Sequence, residues 1–358
     1  MRFIEDDRKG RPTTDSAQAR PRTQRKRPSM YDVATLAGVS QTTVSFVVND
    51  SPNANIPQET RDRIWAAVEE LGWRRNALAR SLSLRRSHSV GFISDDIATS
   101  SHGGKIIQGA QDAAWADGKM LLLTNTSGNP AIEHAALEML LERQVEGIIY
   151  AAMYHRPVTP PAELSGVPTV LLDCFVADRS LSSVVPDEVQ GGRAATEALL
   201  NKGHRRIAFI NTVDRIPAAG GRLVGYQQAL ASRGVAFDPD LVHEGSSGAA
   251  EGYRGAMELL QSPEPPTGVF CFNDAMAMGA YEAVKQLGLA IPHDVAIVGF
   301  DNHELIAGQL SPPLTTMELP HYAMGQWAVQ YLFQHQETVP MPPTQHTIPC
   351  RLIERSSV

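Results

Sequence analysis

The stretch "YDVATLAGVSQTTVSFVVND", residues 31–50, decides how the first part of the chain folds. Ser29 and Asp32 stand three apart just ahead of an apolar run, the spacing of a reciprocal helix cap. Val33, Leu36 and Ala37 then repeat at helical intervals and mark one buried face. Gly38 stops that helix, because a residue without Cβ can turn through positive φ. Ser40 caps a second helix whose inner face is Val44, Val47 and Val48, while Gln41, Thr42 and Phe46 point away. A third helix opens at Pro57, has Glu59 near its start, buries Ile64, Val68 and Leu71, and ends at Gly72. Three short helices with a tight Gly turn between the first two make a bundle of the helix-turn-helix class. Such a unit can be a plain helical hairpin. The outward side chains favour DNA: Gln41 can pair with an adenine edge, and Thr42 can meet a base or a thymine methyl. The hydroxyls of Ser40, Thr43 and Ser45 suit phosphates.

Charge points the same way. Net charge is −7 over 358 residues, but residues 1–90 carry 16 Lys and Arg against 10 Asp and Glu, and the rest carries 16 against 29. A basic head on an acidic body suits a polyanion partner. Residues 1–28 are Arg-, Thr-, Gln- and Pro-rich and read as a disordered basic tail. The segment 73–89, "WRRNALARSLSLRRSHS", is helix-prone but too short to stand alone, which fits a helix that forms only when docked.

From Val90 onward apolar runs (VGFI, MLLL, GIIY, TVLL, RIAFI, GVFCF, VAIVGF) alternate with helical stretches at 105–117, 132–143, 191–202, 222–233, 251–261 and 275–287. This alternation reads as parallel sheets covered on both faces, with a break near 186–192 dividing two lobes. Polar residues recur just past strand ends: Asp95, Asp96, Asn125, Asp173, Asn273, Asp274, Asp301 and Asn302. Singly these are turn formers or caps; together, at the carboxyl ends of parallel strands, they outline a ligand crevice. Asp274 reads as no more than a cap for the following helix. No phosphate loop, dinucleotide fingerprint or nucleophile elbow occurs, so an enzyme reading has no motif behind it and no cofactor is expected. Cys174, Cys271 and Cys350 are far apart and read as buried thiols, not as a metal site. No apolar run nears the roughly 18 residues of a membrane span, and residues 1–12 lack a signal core, so cytoplasmic residence is expected.

"YDVATLAGVSQTTVSFVVN", "ETRDRIWAAVEELGW" and "NALARSL", in this order and spacing, resemble the headpiece of the lactose-repressor (LacI/GalR) family of transcription regulators. "GHRRIAFI", "GRLVGYQQAL", "FNDAMAMGAYEAV", "DVAIVGFDN" and "PPLTTMELP" extend the resemblance through about residue 356, to an effector domain similar to periplasmic sugar-binding proteins. The resemblance implies that Gln41 and Thr42 read bases, with Tyr31, Ser40, Asn49, Thr60 and Asn76 on phosphates. Residues 76–84, with Asn76, Ala79 and Leu82, would be a hinge helix in the minor groove, Leu82 wedging between base pairs. Two departures are Phe46, where the family often has Arg, and Arg75, where Pro is usual.

In the body the resemblance places Asp173, Arg222, Asn273 and Asp301 at ligand-contacting positions, Arg222 holding a hydroxyl or an anionic group. Asp95 at its strand end and His102 at the cleft mouth complete the candidate set. Aromatic rings frequent in the family are replaced by Ser247, and by His102 and Gly103. The implied organisation is a headpiece at 29–75, hinge and linker at 76–89, and a two-lobed domain at 90–358. Lobe 1 would span about 90–188 plus 320–337, and lobe 2 about 189–317 plus 340–356. The implied function is a homodimeric regulator, in the family's usual sense a repressor, that binds a pseudo-palindromic operator under control of a sugar or related metabolite. The competing reading is a small-molecule binding module that does not read DNA.

Overall fold

A computed structural model describes residues 28–51, 54–74, 87–99, 103–335 and 341–358. The chain divides into two compact units, Met1–Ala77 and Leu78–Val358. The expected tail (through residue 27) and the hinge helix at 76–84 lie outside the described residues.

In the first unit, α1 (Met30–Ala37), α2 (Gln41–Val48) and α3 (Gln58–Leu71) close around one small core. The local signals act as read. The Ser29 side chain accepts from the Asp32 N–H, and Asp32 Oδ2 accepts from the Ser29 N–H at 2.7 Å. Gly38 takes φ +68°, and Ser40 caps α2 by accepting from the Thr43 N–H at 3.1 Å. Pro57 stands at the cap of α3, one position before the helix proper. Leu36 departs from the sequence reading: it is 47% exposed, and Ala34 is buried beside Val33 and Ala37 instead. At 100° per residue, 34 and 36 flank the 33/37 line on opposite sides. The helices press against the side carrying the methyl group.

The second unit holds two six-stranded sheets, one per lobe. The first has the order β11-β5-β4-β3-β1-β2. Its strands are β1 (Ser89–Ser94), β2 (Met120–Asn125), β3 (Ile148–Pro157), β4 (Thr169–Phe175), β5 (Ser182–Asp187) and β11 (Gln345–Pro349), all parallel. Helices α4 (Gly103–Ala116), α5 (Pro130–Glu142) and α10 (His321–Gln334) complete this lobe. Met324, Ala328 and Leu332 of α10 join Val90, Phe92, Ile149 and Val170 in its core. The second sheet has the order β12-β10-β9-β8-β6-β7, from β6 (Ile207–Thr212), β7 (Val242–Gly245), β8 (Gly268–Cys271), β9 (Ala296–Asp301), β10 (Thr315–Glu318) and β12 (Arg351–Ile353). Only β12 runs antiparallel to its neighbour. Around this sheet lie α6 (Glu188–Asn201), α7 (Pro217–Ser232), α8 (Ala249–Leu260) and α9 (Asp274–Gln286). Phe209 and Phe270 stack at 4.5 Å in its core. Strands were expected at the apolar runs, and β1–β4, β6, β8 and β9 form there.

The chain passes between lobes three times: from β5 into α6, from β10 into α10, and from β11 into β12. The last crossing corrects the sequence reading. Residues 340–356 were expected as one return into lobe 2, but β11 pairs with β5 in the first sheet and only β12 reaches the second. Gln345 fixes this placement, accepting from Ser183 Oγ at 2.7 Å and donating to the Leu181 carbonyl at 2.8 Å. Cys350 is the single residue between the two strands, and its N–H donates to Gln190 Oε1 at 2.9 Å.

Two glycines bring α6 and α7 close enough to assemble the cleft. A Cβ on Gly192 would lie 2.4 Å from the Arg222 carbonyl, and one on Gly225 would lie 2.2 Å from the Val189 carbonyl. Only hydrogen fits at either place.

Candidate functional site

Two candidate surfaces emerge, one on each unit. On the first unit, α2 contains no charged residue. Its polar side chains divide into two groups. Ser40 and Thr43 hydroxyls bond each other at 2.8 Å, and Asn49 Nδ2 donates to Ser45 Oγ at 3.2 Å. Gln41 and Thr42 are exposed, and no hydrogen bond from another described residue engages their side chains. Phe46 is 44% exposed, one turn beyond Thr42. Tyr31 is 64% exposed on α1, and Thr60 is half-buried in the first turn of α3. Asn76, Ala79 and Leu82 lie outside the described residues.

On the second unit a cavity of about 500 Å³ opens between the lobes. Four of the six expected ligand residues line it: Asp173 from β4, and Arg222, Asn273 and Asp301 from the second lobe. Ser247 lines it as well. Asp95 does not; its carboxylate accepts from Arg156 Nη2 at 2.8 Å. His102 lies outside the described residues. Sequence reasoning missed Glu188, His155 and His321 in the lining. Glu188 resembles any acidic residue in a first helical turn, and His155 lies within an irregularity of β3, between Ala151 and Arg156, that no local pattern announces.

Arg222 is the centre of the cleft. It is 3% exposed, and its guanidinium lies over the ring of Phe300 at 3.6 Å, with Phe272 at 4.4 Å on another side. Nε donates to Glu188 Oε2 at 2.8 Å, and Nη1 donates to the Phe272 carbonyl. Asp301 Oδ1 stands 4.0 Å from Nη1. Burial works against this charge, but Glu188 and Asp301 outweigh it and hold Arg222 above the ordinary range. Two acidic groups therefore already face this buried cation.

Asp301 ends β9 at φ +105°, and Asp173, two residues before the end of β4, takes φ +57°. Such conformations cost a non-glycine residue about 1–3 kcal/mol and collect at functional sites. Burial pushes the Asp301 carboxyl up to about 7, Arg222 pulling it down and Glu188 raising it. Asp173 is raised well above the carboxylate range, by burial first and by Glu188 next. Its Oδ1 has no hydrogen-bond partner, and neither has His155 Nδ1. Burial, with the charges of Arg179 and Arg222, pushes His155 down to about 4, so its ring is neutral. Asn273 is half engaged: Oδ1 accepts from the Met276 N–H to cap α9, and Nδ2 donates to the Ser247 carbonyl at 2.9 Å. Asp274, expected as the cap of that helix, is its first residue instead, and the cap is Asn273. Asp274 is fully buried, accepting from Thr316 Oγ1 at 2.6 Å and from the His303 N–H at 2.7 Å, and so ties α9 to β10.

Residues 29–76 match the bacterial regulatory proteins of the lacI family, and residues 196–358 match a periplasmic binding protein-like domain. The transcriptional regulator RegA of Clostridium saccharobutylicum is 34% identical over 331 residues, covering 92% of this chain and 98% of that protein. This chain belongs to the LacI family. It is a DNA-binding transcriptional regulator with a helix-turn-helix unit and a two-lobed effector-type unit. Among other LacI-family members, the repressor PurR of Shigella sonnei is 33% identical over 336 residues, 92% of this chain and 96% of its own. The Lac repressor dimer bound to operator and the anti-inducer ONPF superposes with a TM-score of 0.75 at 27% identity, covering 93% of this chain and 99% of that one. The regulator CelR in complex with cellobiose gives 0.62 at 29% identity, covering 93% and 100%. Among the described residues no helix is long and apolar enough to cross a membrane, and no cluster of three His, Cys, Asp or Glu could hold a metal ion.

Proposed function

We propose that this LacI-family chain is a cytoplasmic, homodimeric, non-catalytic repressor, switched by an uncharged, hydroxyl-rich effector, a sugar or related metabolite, held between its lobes. The observation that carries this reading is the pair of unpartnered buried polar atoms in the cleft, Asp173 Oδ1 and His155 Nδ1. Buried polar groups left unpaired cost about 1–3 kcal/mol each, a cost that a ligand removes by hydrogen-bonding to them. Asp173 and Asp301 would meet effector hydroxyls, Asn273 would donate its remaining N–H, and His155 would distinguish donors from acceptors. Arg222 supports an uncharged ligand, since Glu188 and Asp301 already face its charge.

In the first unit, Gln41 and Thr42 read base edges. Tyr31, Ser40, Thr43, Ser45, Asn49, Thr60 and Asn76 hold phosphates, while Ala79 and Leu82 enter the minor groove at the operator centre. Effector binding changes how far the lobes close, and the hinge segments of the dimer transmit that change to DNA. Coupling of this kind amounts to about 1–3 kcal/mol, roughly 5–150-fold in operator affinity. The test is selection of binding sites from a random DNA pool by the full chain near physiological salt, repeated with a panel of neutral sugars and polyols. A pseudo-palindrome whose recovery one panel member alters, in the parent but not in Asp173→Asn, is expected. Recovery of no sequence under any condition overturns the reading.

A further inference from the structure

Phe46 lies outside the core of the folded headpiece. It is 44% exposed and takes no part in the cluster formed by Val33, Val44, Val47, Val48 and Ile64. At 100° per residue, Thr42, Phe46 and Asn49 share the face of α2 opposite Val44, Val47 and Val48. A large apolar ring therefore stands on the face that otherwise offers only short hydroxyls and amides, on a helix without a single charge.

We propose that Phe46 is a specificity-determining residue that reads the 5-methyl group of a thymine in the major groove. The inference rests on the DNA-reading assignment of α2. The polar features of the base edges in that groove are hydrogen-bond donors and acceptors; the thymine methyl is the one apolar substituent that projects from them. A phenyl ring placed over guanine N7 and O6, or over the cytosine amino group, strips water from them and returns no hydrogen bond. Against thymine it covers carbon with carbon. Phe46 lies one turn beyond Thr42, about 6 Å along the helix, against a base step of about 3.4 Å. The base it reads is accordingly a near neighbour of the one Thr42 meets, on the flank away from the start of the helix.

A methyl group brought out of water against an apolar ring is worth about fourfold in affinity. In a palindromic site with two headpieces bound, the loss of both methyls amounts to roughly 15-fold. The experiment takes the site recovered by selection with the full chain and replaces each thymine in turn, symmetrically in both half-sites, by deoxyuridine, which removes only the methyl. Operator affinity is measured for the parent and for Phe46→Ala. One symmetric position is expected at which deoxyuridine weakens the parent roughly 15-fold and leaves Phe46→Ala unchanged. At that position 5-methylcytosine binds the parent better than cytosine does, and the variant alike. The same deoxyuridine penalties in parent and variant overturn the proposal, as does a selected half-site without thymine near the contacts of Thr42. Failure of the parent to select any sequence is a different result, and refutes the DNA-reading assignment itself. The exposed position of Phe46 keeps Phe46→Ala folded, which an unchanged headpiece melting transition verifies.

Discussion

Glu188→Ala removes the strongest partner of a cation that cannot reach water. Arg222 is 3% exposed and would keep only the Phe272 carbonyl and Asp301, 4.0 Å away. Breaking a buried ion pair by deleting one member costs about 3–5 kcal/mol. Part of that is recovered here, because Glu188 also raises the Asp301 carboxyl; without it Asp301 ionises more readily and faces Arg222 alone. The expected loss is therefore about 3 kcal/mol, or roughly 6–12 °C in the melting temperature of a unit this size. The pH dependence gives a second signature. An acid whose folded value is raised contributes stability in full below its unfolded value, and loses it as pH rises through the folded value. For Asp301 that window runs from about 4, the unfolded value, up to about 7. In Glu188→Ala the window shortens, so the gap between parent and variant narrows from pH 5 to pH 8. Calorimetry and urea unfolding of the full chain measure both. Adding Arg222→Met to Glu188→Ala should restore most of the loss, since an unbranched apolar side chain can lie between Phe300 and Phe272 with no charge to leave unpaired. A melting temperature within 2 °C of the parent for Glu188→Ala, or a double variant no more stable than the single one, would refute the account.

Asp301→Asn should flatten the stability–pH curve between about 4 and 7 without abolishing its slope, because Asp274 is also pushed up to about 7, by burial and by Asp301; unfolding at pH 5 and pH 8 reads this. Gly225→Ala sets a methyl 2.2 Å from the Val189 carbonyl, and forcing α6 and α7 apart should cost about 1–3 kcal/mol and move Arg222 off Glu188, seen as a lower melting temperature together with weaker effector binding. Gly38→Ala meets no atom within 4 Å but keeps φ at +68°, so it should cost the headpiece about 1–2 kcal/mol through conformation alone, visible in its separate melting transition. Burial pushes the thiols of Cys174, Cys271 and Cys350 upward, so a thiol reagent should label none rapidly in the native protein and all three in urea.

The headpiece was legible because its signals are local: Ser29 with Asp32, Gly38, and Ser40 each act within a few residues of themselves. Leu36 was misread because two positions flank the same helical line, and only the neighbouring helices choose between them. Strands with β-branched runs were legible as buried on both faces. The stretch "SSVVPD" was not among the apolar runs, since two Ser and a Pro interrupt it, although it forms β5. The destination of β11 had no local sign, because it is fixed by pairing with residues more than 150 positions earlier. In the cleft, Asp173 and Asp301 could be found from their places just past apolar runs. Glu188 could not, since its importance comes from Arg222, 34 residues away and brought near by the approach of two glycine-lined helices.

The third crossing has a consequence for how the protein is made. The first lobe is begun by Ser89, yet its edge strand and the helix that seals one side of its core are drawn from residues 321–349. On the ribosome that lobe waits, with Phe92, Ile149 and Val170 uncovered, while the whole second sheet except β12 is synthesised. The headpiece, built from a contiguous segment, has everything it needs almost at once. For most of the chain's synthesis, then, a folded headpiece is tethered to an unfinished control unit. Residues 345–353 then join both sheets nearly together, so neither lobe is closed before the other.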